Sequence, residues 1–299
     1  MRFIMKIFIY SLLIVSIFIS SVGLSQEPSQ QNLKLYQTKI KLAQDLDLYN
    51  KPINQVIEAI AKSFMNTPYE ANTLDKPGKE SLVIHLTGLD CTTFVENVLA
   101  LAINIKKKGD FEDYTKTLQK IRYRDGVIKN YTSRLHYFSD WIFDNQKKKT
   151  IKDISHEIGG EPIQFQVNFM SQHPEDYSVL KAQPECVPMI FKQELGINKR
   201  NYFYIPKARF EKNSTAIQSG DLLAITTHKK GLDIAHVGIA IRVADRKIYL
   251  LHASSQGKKV EVTKFPLSQY LENIATDTGV IVLRPLEPSL SDFFKPKTT

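Results

Sequence analysis

The sequence has little cysteine, one tryptophan, and no long apolar run beyond its N-terminus. Two cysteines in 299 residues exclude a small disulfide-stabilised scaffold and a cysteine-rich metal site. After residue 26 no apolar stretch is long enough to cross a bilayer, so we expect no membrane span in the mature chain. No basic tract is interleaved with aromatic residues, so nucleic acid is not an expected partner. The remaining class is a globular protein with a sizeable core.

The N-terminus has the three parts of a secretory signal peptide. Arg2 and Lys6 precede the apolar run IFIYSLLIVSIFIS, and the small residues of SVGLS follow it. This order predicts cleavage after Ser25, which leaves residues 26–299 as one exported domain. The alternative is that residues 1–25 stay attached as a membrane anchor. Loss of the two basic residues lowers the formal charge from +9 to +7, which suits an anionic polymer or an acidic envelope surface.

Helical patterns dominate the first part of the chain, and strand patterns dominate its last third. Apolar residues at helical spacing predict helices at about 53–65, 91–108, 111–121 and 134–146. Short β-rich runs predict an antiparallel meander of strands at 220–227, 235–243, 247–254, 258–265 and 279–285. Helices followed by a sheet predict an α+β fold. The helix that begins at Cys91 should pack on one face of that sheet.

Cys91 occurs where a helix is expected to begin. In LTGLDCTTFVENVLAL, Asp90 can cap the helix, so the sulfur lies near unsatisfied N–H groups and the positive end of the helix dipole. Both favour the thiolate, which is the nucleophilic form of cysteine. The alternative is a structural disulfide between Cys91 and Cys186. A chain of this length does not need such a link, so we predict a free Cys91 and a packing role for Cys186.

Two histidines, His236 in DIAHVGIAI and His252 in YLLHASS, occur within the predicted strands. Neighbouring antiparallel strands bring such side chains within reach of each other. If the tip of the cysteine helix lies over the same sheet face, Cys91, His236 and His252 form a relay. His236 would then take the thiol proton, and His252 would orient the first imidazole. The alternative for either histidine alone is an ordinary strand residue with one hydrogen bond.

The other histidines show no metal-ligand spacing: His85, His136, His156, His173 and His228. HEIGG begins like a metalloprotease helix, but Gly160 stands where the second ligand is required. The sequence therefore predicts neither a metal site nor a cofactor.

Three motifs, in the order LDCTTFVENVLAL, GLDIAHVGIAI and LLHASSQGKKVEV, suggest a relationship to known hydrolases. They resemble the NlpC/P60 superfamily of cell-wall cysteine hydrolases, and more closely its DUF1460 branch, the N-acetylmuramoyl-L-alanine amidase-like family. The likeness extends to NTPYEANTL, SRLHYFSDWI, VNFMSQH and SGDLLAITT. It implies a papain-like α+β core, in which an antiparallel sheet packs on the cysteine helix, and a mainly helical insertion at about 106–215.

The resemblance also implies roles for individual residues. It gives Cys91 the role of nucleophile, His236 that of base and His252 that of orienting residue. Contacts with substrate are implied for five residues in the neighbouring motifs: Tyr69, Ser133, Arg134, His136 and Asn168. Tyr69 would lie beside the nucleophile and help to bind substrate or the oxyanion. Arg134 would pair with a peptide carboxylate, unless it is an ordinary solvated arginine.

The implied reaction is hydrolysis of the amide between N-acetylmuramic acid and L-alanine in muropeptides, through a cysteine thioester. The alternatives are the γ-D-glutamyl–diaminopimelate bond, transfer of the acyl group to an amine, and a non-catalytic protein that binds cell-wall fragments. An exported enzyme without a lipoprotein cysteine or wall-binding repeats is expected in the periplasm of a Gram-negative bacterium.

Overall fold

The computed structural model describes residues 29–289, and the predicted signal peptide lies outside them. The helices are α1 Gln30–Asp45, α2 Ile53–Lys62, α3 Cys91–Lys107, α4 Phe111–Arg122, α5 Phe138–Lys147, α6 Phe169–Gln172, α7 Ser178–Ala182, α8 Val187–Ile197, α9 Lys207–Asn213 and α10 Leu267–Glu272. The strands are β1 Ile151–Asp153, β2 Glu161–Ile163, β3 Tyr202–Pro206, β4 Leu222–Thr227, β5 Ile234–Arg242, β6 Ile248–Ser254, β7 Lys259–Val262 and β8 Asp277–Pro285. Within this range no helix is long and apolar enough to cross a membrane.

The strands form one antiparallel sheet in the order β2-β3-β8-β4-β5-β6-β7, with β1 also paired to β8. Helices packed on an antiparallel sheet agree with the α+β prediction. The meander is confirmed for β4 to β7, but β8 does not follow β7 at the edge. It lies between β3 and β4 because its apolar run GVIVLRP is buried on both faces, as a central strand requires.

The segment 106–215 is less purely helical than expected. It contains α4 to α9, but β1, β2 and β3 also lie within it. Both β1 and β3 pair with β8, so the segment contributes strands to the main sheet. These strands have three to five residues, which is too short for a clear alternating pattern in the sequence.

Helix α3 is the central helix and is buried from Thr93 to Ile105. One side packs on β5 and β6, while α2 and α4 cover other sides. The helix begins where predicted, because the Asp90 side chain accepts a hydrogen bond from the Thr93 N–H at 2.7 Å. At its other end Lys108 takes the left-handed conformation as the C-cap, one residue before the glycine predicted to end the helix.

Candidate active site

Cys91 is the first residue of α3 and is partly exposed. A capping box holds this turn, in which Thr93 Oγ1 accepts a hydrogen bond from the Asp90 N–H at 3.0 Å. The Cys91 sulfur lies within hydrogen-bonding reach of the Val237 N–H on β5. The first N–H groups of a helix have no intrahelical acceptor, so the N–H of Cys91 is available to an oxyanion. Both cysteines are free, as predicted for Cys91.

His236 and His252 contact each other across β5 and β6. The distance between His236 Nε2 and His252 Nδ1 is 2.6 Å, and the rings meet edge to face at 88°. Gly238 follows His236 by two residues on β5, and an added Cβ there would lie 2.8 Å from the Leu251 carbonyl oxygen. Glycine therefore permits the close approach of the two strands beside the histidine pair.

The two histidines lie on the sheet face opposite the body of α3. His236 pairs with Ile225, which belongs to the apolar cluster under α9 and α10, whereas Val237 belongs to the cluster under α3. The body of α3 therefore packs on the face opposite the histidines, whereas Cys91 lies at its tip. Cys91 lines one cavity with His236 near the start of β5, where a register shift beside Ile225 marks a bulge.

At neutral pH Cys91 is a neutral thiol and His236 is a neutral imidazole. Burial, reinforced by the Asp90 carboxylate, raises the pKa of the Cys91 thiol to about 11, although the Val237 N–H acts in the opposite direction. Burial and the neighbouring His252 lower the pKa of His236 to about 3. This differs from the thiolate expected at a helix start, because burial and Asp90 outweigh the helix dipole. Any nucleophilic attack by Cys91 would therefore require transfer of its proton to a base.

We expect the Cys91 thiol to titrate on the alkaline side. Because its pKa is raised, thiolate absorbance at 240 nm and the rate of alkylation by iodoacetamide should both increase from pH 7 to pH 10, by about tenfold per pH unit for the rate. The buried Cys186 is the internal control and should be alkylated more slowly in the folded protein. A rate at Cys91 that is constant from pH 6 to pH 9, or equal labelling of both cysteines, would contradict this assignment.

The cleft extends on both sides of His236. On the Cys91 side a cavity of about 190 Å³ is walled by Tyr137, Phe138, Met170 and Tyr177 of the 106–215 segment. On the other side a cavity of about 660 Å³ is lined by residues of the β6–β7 turn and of α10 together with both histidines. The 106–215 segment thus forms one wall of the cleft.

Tyr69 lies near Cys91. The Tyr69 N–H donates to the Lys258 carbonyl at 2.8 Å, and Tyr69 forms a parallel bridge with Leu89, two residues before Cys91. Burial raises the pKa of Tyr69, and Cys91 and Asp90 reinforce this effect. The phenol is therefore neutral at pH 7 and can donate a hydrogen bond near the sulfur.

Four other residues are predicted to contact the substrate. Of these, His136 lines the cavity of about 190 Å³ that also contains Cys91. Its Nε2 lies 2.8 Å from the Tyr131 carbonyl and must donate the proton, so Nδ1 is left as an acceptor. Burial lowers the pKa of His136 to about 3, which keeps the ring neutral. A neutral acceptor at this position can receive a hydrogen bond from a substrate N–H or O–H group.

Ser133, Arg134 and Asn168 do not line either cavity. The Ser133 hydroxyl donates to the Asn130 carbonyl at 2.6 Å within a tight turn. Arg134 is buried, donates to the Leu74 carbonyl and lies 3.8 Å from Glu80 Oε1, so it is not a solvated arginine. The Asn168 N–H donates to the Gly231 carbonyl, which joins the 106–215 segment to the loop before β5.

Asp233 is a cleft residue that the sequence analysis missed. Its buried carboxylate accepts hydrogen bonds from the Ser139 N–H and the Ile234 N–H, both at 2.7 Å. The first of these bonds ties the start of α5 to the start of β5, and so sets the distance between the cleft wall and His236. An aspartate before a strand is a common turn residue, so nothing in the sequence distinguished it. Within residues 29–289 no group of three His, Cys, Asp or Glu side chains is placed to hold a metal ion.

A family model described as N-acetylmuramoyl-L-alanine amidase-like, or AmiA-like, matches residues 59–279. This chain belongs to the AmiA-like family. A Bacteroides uniformis N-acetylmuramoyl-L-alanine amidase is 39% identical, with a TM-score of 0.75, and the match covers 79% of this chain and 99% of that one. A comparison with curated proteins gave no match.

Two further solved structures resemble this AmiA-like chain. A Bacteroides fragilis protein named as a candidate xylanase is 40% identical, with a TM-score of 0.72, over 76% of this chain and 99% of that one. A Legionella pneumophila protein of the DUF1460 family is 23% identical, with a TM-score of 0.65, over 86% of this chain and 96% of that one. The Legionella likeness shows a shared fold alone. Together with the family model, these matches support a mixed helical and antiparallel-sheet amidase-like hydrolase.

Proposed function

We propose that this protein is an exported cysteine amidase of the NlpC/P60 type, which cleaves the bond between N-acetylmuramic acid and L-alanine in muropeptides. The main support is that Cys91, at the start of α3, shares a cleft with His236, whose Nε2 lies 2.6 Å from His252. The AmiA-like family indicates peptidoglycan as the substrate class. Residues 1–25 would direct the chain to the periplasm and be removed there.

The proposed reaction begins with the uncharged pair. The Cys91 thiol gives its proton to His236 Nδ1, which has no hydrogen-bond partner among the described residues, while the sulfur attacks the lactyl carbonyl carbon. A base at Nδ1 requires the resting proton at Nε2, so this Nε2–H donates to His252 Nδ1. The Cys91 N–H and the Tyr69 hydroxyl are placed to stabilise the oxyanion.

The tetrahedral intermediate then collapses. The C–N bond breaks, His236 gives its proton to the leaving amine of L-alanine, and a thioester between Cys91 and the lactyl group remains. Water attacks the thioester carbonyl carbon, with His236 again taking a proton. The C–S bond breaks and the proton returns to the sulfur, which restores the thiol. The products are a lactyl carboxylic acid on the sugar and a free stem peptide.

Xylanase chemistry is not favoured in the cavity beside Cys91. Glycoside hydrolysis ordinarily uses two carboxyl groups on either side of the scissile bond. Asp233 is the single carboxylate that lines the Cys91 cavity among the described residues, and both of its oxygens accept backbone hydrogen bonds. A buried carboxylate held in this way orients the backbone and is not placed to protonate a glycosidic oxygen.

Mass spectrometry of defined muropeptides, incubated with the mature protein and with its Cys91→Ala variant, tests the proposal. We expect wild type to release a free stem peptide that begins with L-alanine and the variant to release none. A disaccharide-dipeptide product would instead identify a γ-D-glutamyl endopeptidase, and a product joined to an added amine would identify an acyltransferase. Binding without any product from either protein would support a non-catalytic wall-binding protein.

A further inference from the structure

Glu261 on β7 is the direct cross-strand partner of His252. Residues opposite each other in antiparallel strands project from the same face, with Cβ atoms about 4.5–5.5 Å apart. Glu261 also lines the 660 Å³ cavity together with His236 and His252. Three neighbouring strands thus place two imidazoles and one carboxylate on one face of the sheet.

The Glu261 carboxylate is partly buried and has room at this position. Its side chain packs over Gly257 in the β6–β7 turn, where an added Cβ would overlap Glu261 Oε1. Among the described residues, Glu261 makes no hydrogen bond and no ion pair within 4 Å. A carboxylate without a structural partner, held beside the histidine pair, is available to compensate a charge that develops there.

A positive charge develops in the histidine pair during the proposed reaction, on which this inference rests. When Cys91 gives its proton to His236, the imidazolium donates from Nε2 to His252 Nδ1, and His252 carries its own proton on Nε2. A buried cation of this kind is costly unless a negative charge lies nearby. We propose that Glu261 is a positioning residue, whose carboxylate stabilises the protonated His236–His252 pair and thereby promotes proton transfer from Cys91.

Other ionisable groups near His252 do not supply this charge. His236 faces it from β5, and the Tyr270 ring of α10 meets it edge to face at 5.9 Å. The remaining ionisable groups that line the same cavity are Lys229, Lys264 and Asp277. Asp277 is buried and interacts with Lys207, Lys229 and His228. Burial lowers the pKa of His252 to about 4, and the charge of Glu261 acts in the opposite direction.

The test compares wild type with Glu261→Gln, Glu261→Asp and the control Glu272→Gln, which removes the same charge from an exposed site at the end of α10. NMR titration of the histidine Cε1–H signals should show a lower pKa for His236 and His252 in Glu261→Gln, by about one unit, because an anion has been removed. The kcat for muropeptide should fall about tenfold with KM unchanged. Glu261→Asp should retain most of the activity, and Glu272→Gln should match wild type.

Two results would overturn the proposal. A fall in kcat without any change in the histidine pKa values would give Glu261 a merely structural role, and an increase in KM at constant kcat would make it a substrate contact. Titrations are compared over the pH range in which near-UV circular dichroism shows both proteins to be native. The titration needs no substrate. If wild type were inactive but its histidine pKa values still depended on Glu261, only the proposed amidase function would be rejected.

Discussion

Replacing Cys91 with alanine is expected to reduce kcat/KM for muropeptide cleavage by at least about 10⁴-fold, to the limit of detection. The thioester cannot form without the sulfur, and the remaining groups only bind substrate and polarise its carbonyl. Stability should change little, because the hydrogen bonds of the Asp90 capping box do not involve the Cys91 side chain. Steady-state kinetics, together with thermal unfolding of both proteins, measures the two effects separately.

The matched control is Cys186→Ala, which removes the other thiol from a buried site near the start of α8. This variant should keep the activity of wild type, even if it unfolds at a lower temperature. Full activity of Cys91→Ala, or equal losses in both cysteine variants, would contradict the assignment of Cys91 as nucleophile. Muropeptide binding retained by Cys91→Ala would confirm that the variant has an intact cleft.

Replacing His236 with alanine is expected to lower kcat by about 10²–10⁴-fold, because His236 is the proposed acceptor of the thiol proton. The loss in His252→Ala should be at least about tenfold smaller, because an orienting residue contributes less than the base itself. Both variants keep the apolar residues of β5 and β6, so the sheet should remain folded. Kinetics on each variant at several pH values measures the order of the two effects.

His156→Ala is the control for loss of an imidazole. His156 is exposed on the β1–β2 connection and packs on Phe203, away from both cavities of the cleft. Its replacement should leave kcat unchanged.

If His252→Ala lost more activity than His236→Ala, the roles of base and orienting residue would be exchanged. Partial recovery of His236→Ala by added imidazole would support its role as base.

Local patterns in the sequence were sufficient for several elements of the site. The Asp90 cap and the apolar residues after it specify where α3 begins, and therefore that the Cys91 sulfur lies at a helix start. The strand patterns around His236 and His252, with a short turn between them, specify that the histidines meet on adjacent antiparallel strands. These features depend on residues close together in the chain, so periodicity and turn residues reveal them.

Contacts between distant segments decided the rest. The insertion of β8 beside β4 and the burial of Arg134 depend on which surfaces meet in the folded chain. The protonation state of Cys91 depends on the same packing, because burial opposes the effect of the helix dipole at this site. The alignment of Glu261 with His252 depends on the register in which β6 pairs with β7. A one-residue slip would turn Glu261 to the other face, so its alignment with His252 depends on how the two strands pair and not on either strand alone.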